Sequence, residues 1–95
     1  MNKKADYQEL KRLSQKVRYL SYSVNAPRVL HSYCISIQLI TVKHPEQSDL
    51  NNQMKLSIEQ EINDMLIEKD VNLRKDLFYK AIAGCMHDLE LFLRD

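Results

Sequence analysis

The feature that most constrains the fold of this chain is its shortage of residues that turn the backbone. The 95 residues include one glycine, Gly84, and two prolines, Pro27 and Pro45, and no tryptophan. Tight hairpins and phosphate-binding loops depend on glycine and proline, so the composition disfavours β-rich and nucleotide-binding folds. The length suits one domain with one core. We therefore expect a single all-α domain over residues 1–95, built as a compact bundle of about four helices.

The first predicted helix covers residues 4–24. Its apolar side chains recur every three or four positions, as on the buried face of a helix: Leu10, Leu13, Val17, Leu20 and Val24. The opposite face is cationic and carries tyrosine. Lysine and arginine neutralise phosphates and tyrosine can stack on bases, so this face is a candidate nucleic-acid contact through Lys4, Lys11, Arg12, Arg18 and Tyr22.

The second segment, residues 26–43, is compatible with two structures. In a strand, Tyr33, Ile35, Ile37 and Leu39 would alternate with smaller or polar residues, and the β-branched content is high. In a helix, Ile35, Leu39 and Val42 would form a second apolar stripe opposite the main one. The residues do not decide between the two. Helix is the expectation, since no second strand is available in the chain to pair with this one.

Residues 49–69 and 72–94 are predicted to form the third and fourth helices. One uninterrupted helix is the alternative, because Gly84 is the only glycine or proline between Asp49 and Arg94. The apolar stripes before Met65 and after Phe78 would then differ in phase by about half a turn. We therefore expect a break, with Asp70 or Asn72 capping the fourth helix.

Surplus apolar edges on the second and fourth helices predict a partner surface. Gly84 lies on the apolar edge of the fourth helix. Glycine in a helix interior destabilises the helix by about 1 kcal/mol relative to alanine, and we expect the missing side chain to let a partner approach. The sequence predicts a homodimer with this interface: Ile35, Leu39, Val42, Leu73, Leu77, Gly84 and Leu91.

Charge is divided unevenly along the chain. Residues 1–44 carry eight Lys and Arg against two acids, and residues 45–95 carry six against eleven. Such asymmetry is compatible with a nucleic-acid-binding face on the basic half. The interpretation that we prefer is that the two halves neutralise each other, within one chain or between two, and that the remaining charges lie on ordinary solvated faces.

Metal binding and catalysis are not expected. Cys34 and His31 could share a helix face, but Cys85 and His87 point apart on a helix, and tetrahedral zinc needs convergent ligands. One glycine and short connections leave little from which to build a catalytic cleft. We therefore expect no cofactor.

We expect the two cysteines to be reduced and the protein to be cytoplasmic. No stretch reaches the length of a membrane span.

The sequence therefore favours a small non-enzymatic adaptor, inhibitor or regulator that acts by protein–protein interaction. Apolar helix edges would supply affinity, and charged faces would select the partner. Small bacterial, plasmid or phage regulators share this general form, which is an analogy only. The alternative is a nucleic-acid-binding regulator that uses the basic face of the first helix.

Overall fold

The computed structural model describes residues 3–94, which form four α-helices joined by short connections. These are α1 (Lys3–Arg18), α2 (Ala26–Thr41), α3 (Ser48–Ile67) and α4 (Val71–Leu93), and a 3-10 turn (Pro45–Gln47) precedes α3. No strand occurs in this part of the chain. The all-α prediction is confirmed, and the ambiguous second segment is a helix.

The four helices form a ring in which each packs on its neighbours. α1 contacts α2, α2 contacts α3, α3 contacts α4, and α4 contacts α1, while α2 and α4 also meet across the centre. α1 and α3 therefore occupy opposite corners of the bundle. The seam between α2 and α3 likewise lies on the side opposite the seam between α1 and α4.

The core is made by the apolar stripes that the helical periodicity predicts. One side chain in every three or four points inward along each helix, and the ring arrangement brings these faces together. The largest fully buried apolar side chains are Leu10, Val17, Leu30, Ile37, Met54, Met65, Phe78, Leu89 and Phe92.

The first helix is shorter than predicted. It ends at Arg18, and residues 19–25 form an irregular connection to α2 that begins and ends in a turn. Val24, placed on the buried stripe by its spacing, is 93% exposed. Serine and the β-branched and aromatic residues of this stretch have low helix propensity. The backbone N–H of Tyr22 instead donates to the Tyr79 hydroxyl on α4, at 3.1 Å.

The predicted break between the third and fourth helices is confirmed, and Asp70 is the cap. Its carboxylate accepts hydrogen bonds from the backbone N–H groups of Asn72 at 2.9 Å and Leu73 at 3.1 Å. The Arg74 guanidinium donates to the Glu68 carbonyl at 2.8 Å. These bonds satisfy backbone groups that a helix end leaves without partners, so they define the turn between α3 and α4.

A buried polar cluster closes one end of the bundle. His44, 3% exposed, lies with its Nε2 3.1 Å from an Asp6 carboxylate oxygen. The side chain of Gln47 donates to the Tyr7 hydroxyl at 2.8 Å and to the Phe92 carbonyl at 3.1 Å. The cluster ties the α2–α3 connection to α1 and α4, and the sequence patterns did not indicate it.

Candidate interaction surfaces

Three of the predicted interface residues form a row of exposed apolar side chains on α2. Ile35 is 44% exposed, Leu39 is 64% exposed and Val42 is 63% exposed. Their spacings of four and three residues place them on one face of the helix. We call this row the α2 ridge.

The α2 ridge borders a trough between α2 and α3. Two grooves, of about 450 Å³ and 280 Å³, share Ile35 and Gln38 and so form one continuous depression. Leu66 extends the apolar lining at one end, and Lys55 and Glu59 supply charge on the α3 side. The trough thus combines an apolar floor with a sparsely charged rim, which is a common composition for peptide-binding grooves.

The predicted interface residues of α4 differ in exposure. Leu73 is 52% exposed near the start of α4, whereas Leu77 is half-buried and packs on the core. Leu91 is half-buried, near the end of the helix. A joint interface of these residues with the α2 ridge stays a prediction.

Gly84 faces α3 of its own chain, and its contact with a partner stays a prediction. A Cβ atom at residue 84 would lie 3.1 Å from Oε2 and 3.3 Å from Oε1 of Glu61. The space left by the missing side chain is therefore occupied by a carboxylate of α3. From the sequence, the edge carrying Gly84 could not be assigned to α3 or to a partner.

Two carboxylates near Gly84 are electrostatically perturbed. Burial raises the pKa of Glu61, the cation of Lys80 opposes this shift, and Asp88 adds to it. Burial also raises the pKa of Asp88, with His87 opposing the shift. Both acids therefore hold a proton more tightly than an exposed carboxylate does.

The basic face of α1 is exposed, but it lacks one predicted member. Lys4, Lys11, Arg12 and Arg18 are exposed, and Arg12 donates to the Glu9 carboxylate at 3.0 Å. Tyr22 is not on this face. It lies in the connection after α1, with its ring centroid 5.5 Å from that of Phe78. Nucleic-acid contact through the four cations stays a prediction.

The uneven charge of the sequence becomes a separation across the bundle. α1 contains six Lys and Arg against two acids, whereas α3 contains four acids and one lysine. Because the two helices occupy opposite corners, their charges lie on opposite sides of the molecule. Pairing of these two helices with each other within one chain is therefore not the arrangement that the structure adopts.

Cys34 and Cys85 are both free and buried, and they meet where α2 packs on α4. A hydrogen bond with Cys34, together with burial, raises the pKa of the Cys85 thiol.

His31 and His87 are exposed. Within residues 3–94, no three His, Cys, Asp or Glu side chains converge as a metal site. None of the helices described has the length and apolar character needed to cross a membrane.

Comparison with known protein families, curated proteins and solved structures finds no match for this chain.

Proposed function

We propose that this protein is a small non-enzymatic adaptor, inhibitor or regulator that binds proteins through the α2–α3 trough, and that it forms a homodimer there. The observation that carries the proposal is the α2 ridge. Large apolar side chains exposed in a row are the usual centre of a protein interface. A cytoplasmic location is part of the proposal and is supported by the two unpaired thiols.

The ridge supplies part of the free energy that specific binding needs. Full burial of a Val, Leu or Ile side chain contributes about 1.5–3 kcal/mol. Ile35, Leu39 and Val42 expose roughly half of their surface, at 44%, 64% and 63%. Covering all three would therefore contribute about 2.5–5 kcal/mol, before the cost of association.

The trough and the ridge are complementary in form. An amphipathic helix lying in a groove uses apolar anchors spaced by three and four residues, and Ile35, Leu39 and Val42 have this spacing. A second copy can therefore place its ridge against the trough of the first and receive the first ridge in return. Such a two-fold arrangement is the commonest form of homo-oligomer.

The test compares Leu39→Glu with Leu56→Glu. Leu56 is 67% exposed on α3 and does not line the trough, so it is a matched control. Sedimentation equilibrium at tens of micromolar, an order of magnitude suited to ordinary interfaces, should show dimers for the wild type and Leu56→Glu and monomers for Leu39→Glu. Circular dichroism should show all three folded. A monomeric wild type would contradict the dimer.

The adaptor function is tested by cross-linking in the source cell. A protein captured by the wild type and by Leu56→Glu, but lost with Leu39→Glu, is the expected result. Equal capture by all three would show that the trough is not the binding surface.

A further inference from the structure

A second groove lies between α1 and α4, on the side of the bundle opposite the trough. Its volume is about 470 Å³. Its lining comes from α1, including Lys11 and Arg18, and from the end of α4, including Met86, Leu89 and Leu93. It shares no residue with the trough.

The α1 side of this groove carries two cations without a carboxylate partner. Lys11 and Arg18 are exposed, and neither forms an ion pair with any residue in the described part of the chain. Seven residues separate them, which places them about 10 Å apart along the helix axis. On the α4 side, Arg94 pairs with Glu90 at 3.4 Å.

The floor between these charges is apolar. Leu89 is buried there, and Met86 and Leu93 are half-buried and pack against the core. An apolar floor with a cationic side matches an amphipathic helix whose apolar stripe is flanked by carboxylates.

We propose that the α1–α4 groove is a second docking site, for an acidic amphipathic helix of a partner protein. Apolar side chains of that helix cover Met86 and Leu93, and its carboxylates pair with Lys11 and Arg18. The inference deepens the proposed adaptor function, on which it rests, because docking sites on opposite sides allow one molecule to hold a second copy at the trough and a partner protein at this groove.

Two observations favour an acidic helix over a nucleic acid as the ligand. A phosphate backbone binds through charge and hydrogen bonds, so it would leave the apolar floor of Met86, Leu89 and Leu93 uncovered. Tyr22, the predicted stacking residue, packs on Phe78 away from the α1 face.

The test measures fluorescence anisotropy with three labelled probes. One is a synthetic helix of about 18 residues with a leucine stripe flanked by glutamate. The second replaces those glutamates with lysine, and the third is duplex DNA of about 20 base pairs. The 95-residue chain should bind the glutamate helix at least about tenfold more tightly than the lysine helix, since the sign of the flanking charge decides the pairing.

The double variant Lys11→Glu/Arg18→Glu should weaken binding of the glutamate helix by about tenfold or more. Lys16→Glu is the matched control, because Lys16 is an exposed cation of α1 that does not line the groove. It should change affinity by less than about threefold. Met86→Ala should also weaken binding, which separates a docked helix from a purely electrostatic association.

Two results would overturn the inference. One is binding of duplex DNA in preference to the glutamate helix, with loss in the double variant, which would assign the cations to nucleic acid. The other is binding that survives the double variant. If Leu39→Glu abolishes peptide binding, the helix lies in the trough, so this inference fails while the proposed function stands. A monomeric wild type whose peptide binding depends on Lys11 and Arg18 would contradict the proposed homodimer and would support the docking site between α1 and α4.

Discussion

Replacing Gly84 with alanine tests the role of the only glycine in the chain, which lies in the interior of α4. Glycine in a helix interior destabilises by about 1 kcal/mol relative to alanine. The added methyl group would lie 3.1 Å and 3.3 Å from the two carboxylate oxygens of Glu61. These atoms end a flexible, partly exposed side chain, so a displacement of a few tenths of an ångström relieves the contact. Moving the carboxylate towards water also reduces its desolvation.

We therefore expect Gly84→Ala to stabilise the fold by about 0.5–1 kcal/mol. For a chain of this size, that corresponds to a melting temperature higher by about 3–6 °C. In a Glu61→Ala background the obstacle is absent, and the gain should approach the full 1 kcal/mol or so of helix propensity. Ala83→Gly is the control at the exposed neighbouring position and should lose about 1 kcal/mol.

Urea denaturation followed by circular dichroism measures these changes. All variants are compared at one protein concentration, because dimer formation would otherwise shift the apparent stability. Loss of about 1 kcal/mol or more by Gly84→Ala in both backgrounds would refute the reasoning. It would show that the glycine admits a close neighbour other than Glu61.

Three further predictions concern α3, the α3–α4 turn and the core. Burial raises the pKa of Glu61 in the folded state, so its charge opposes folding above that pKa and the penalty disappears as the pH falls below the unfolded value. Glu61→Gln should therefore raise the free energy of unfolding near pH 7 but not near pH 3. Glu59→Gln, at an exposed position, should leave the free energy of unfolding unchanged at both pH values. Equal effects of the two substitutions at pH 7 would count against a role for burial. Asp70→Ala should lower the free energy of unfolding by about 1 kcal/mol in urea titrations, and an unchanged midpoint would mean that the cap is dispensable. Cys34 and Cys85 should react with a thiol reagent only as fast as the protein unfolds, because both are buried; rapid labelling of the native state would contradict the observed packing.

Most of the secondary structure is predictable from local patterns. α2, α3 and α4 begin and end within two residues of the predicted bounds 26–43, 49–69 and 72–94. Apolar spacing identifies the buried face because a helix repeats every 3.6 residues. The break at Asp70 is predictable from the phase difference between two stripes and from a capping residue.

The end of α1 was not predictable in this way. Leu20 and Val24 continue the apolar spacing, yet the helix stops at Arg18. The backbone of Tyr22 pairs with the Tyr79 hydroxyl, which is 57 residues away in sequence. A local pattern contains no information about such a contact, so it overestimates the length of the helix.

The sequence by itself determined that most of the chain is helical, which face of each helix is apolar and where the third helix ends, because these depend on neighbours within about one helical turn. It also showed that α2 and α4 carry more apolar surface than one contact needs. Only the tertiary structure decided where that surplus lies, since the order of helices around the ring leaves Leu39 exposed and places Gly84 against Glu61. The same ring order sets basic α1 and acidic α3 at opposite corners. Both outcomes follow from contacts between residues that are distant in sequence, and periodicity does not encode them.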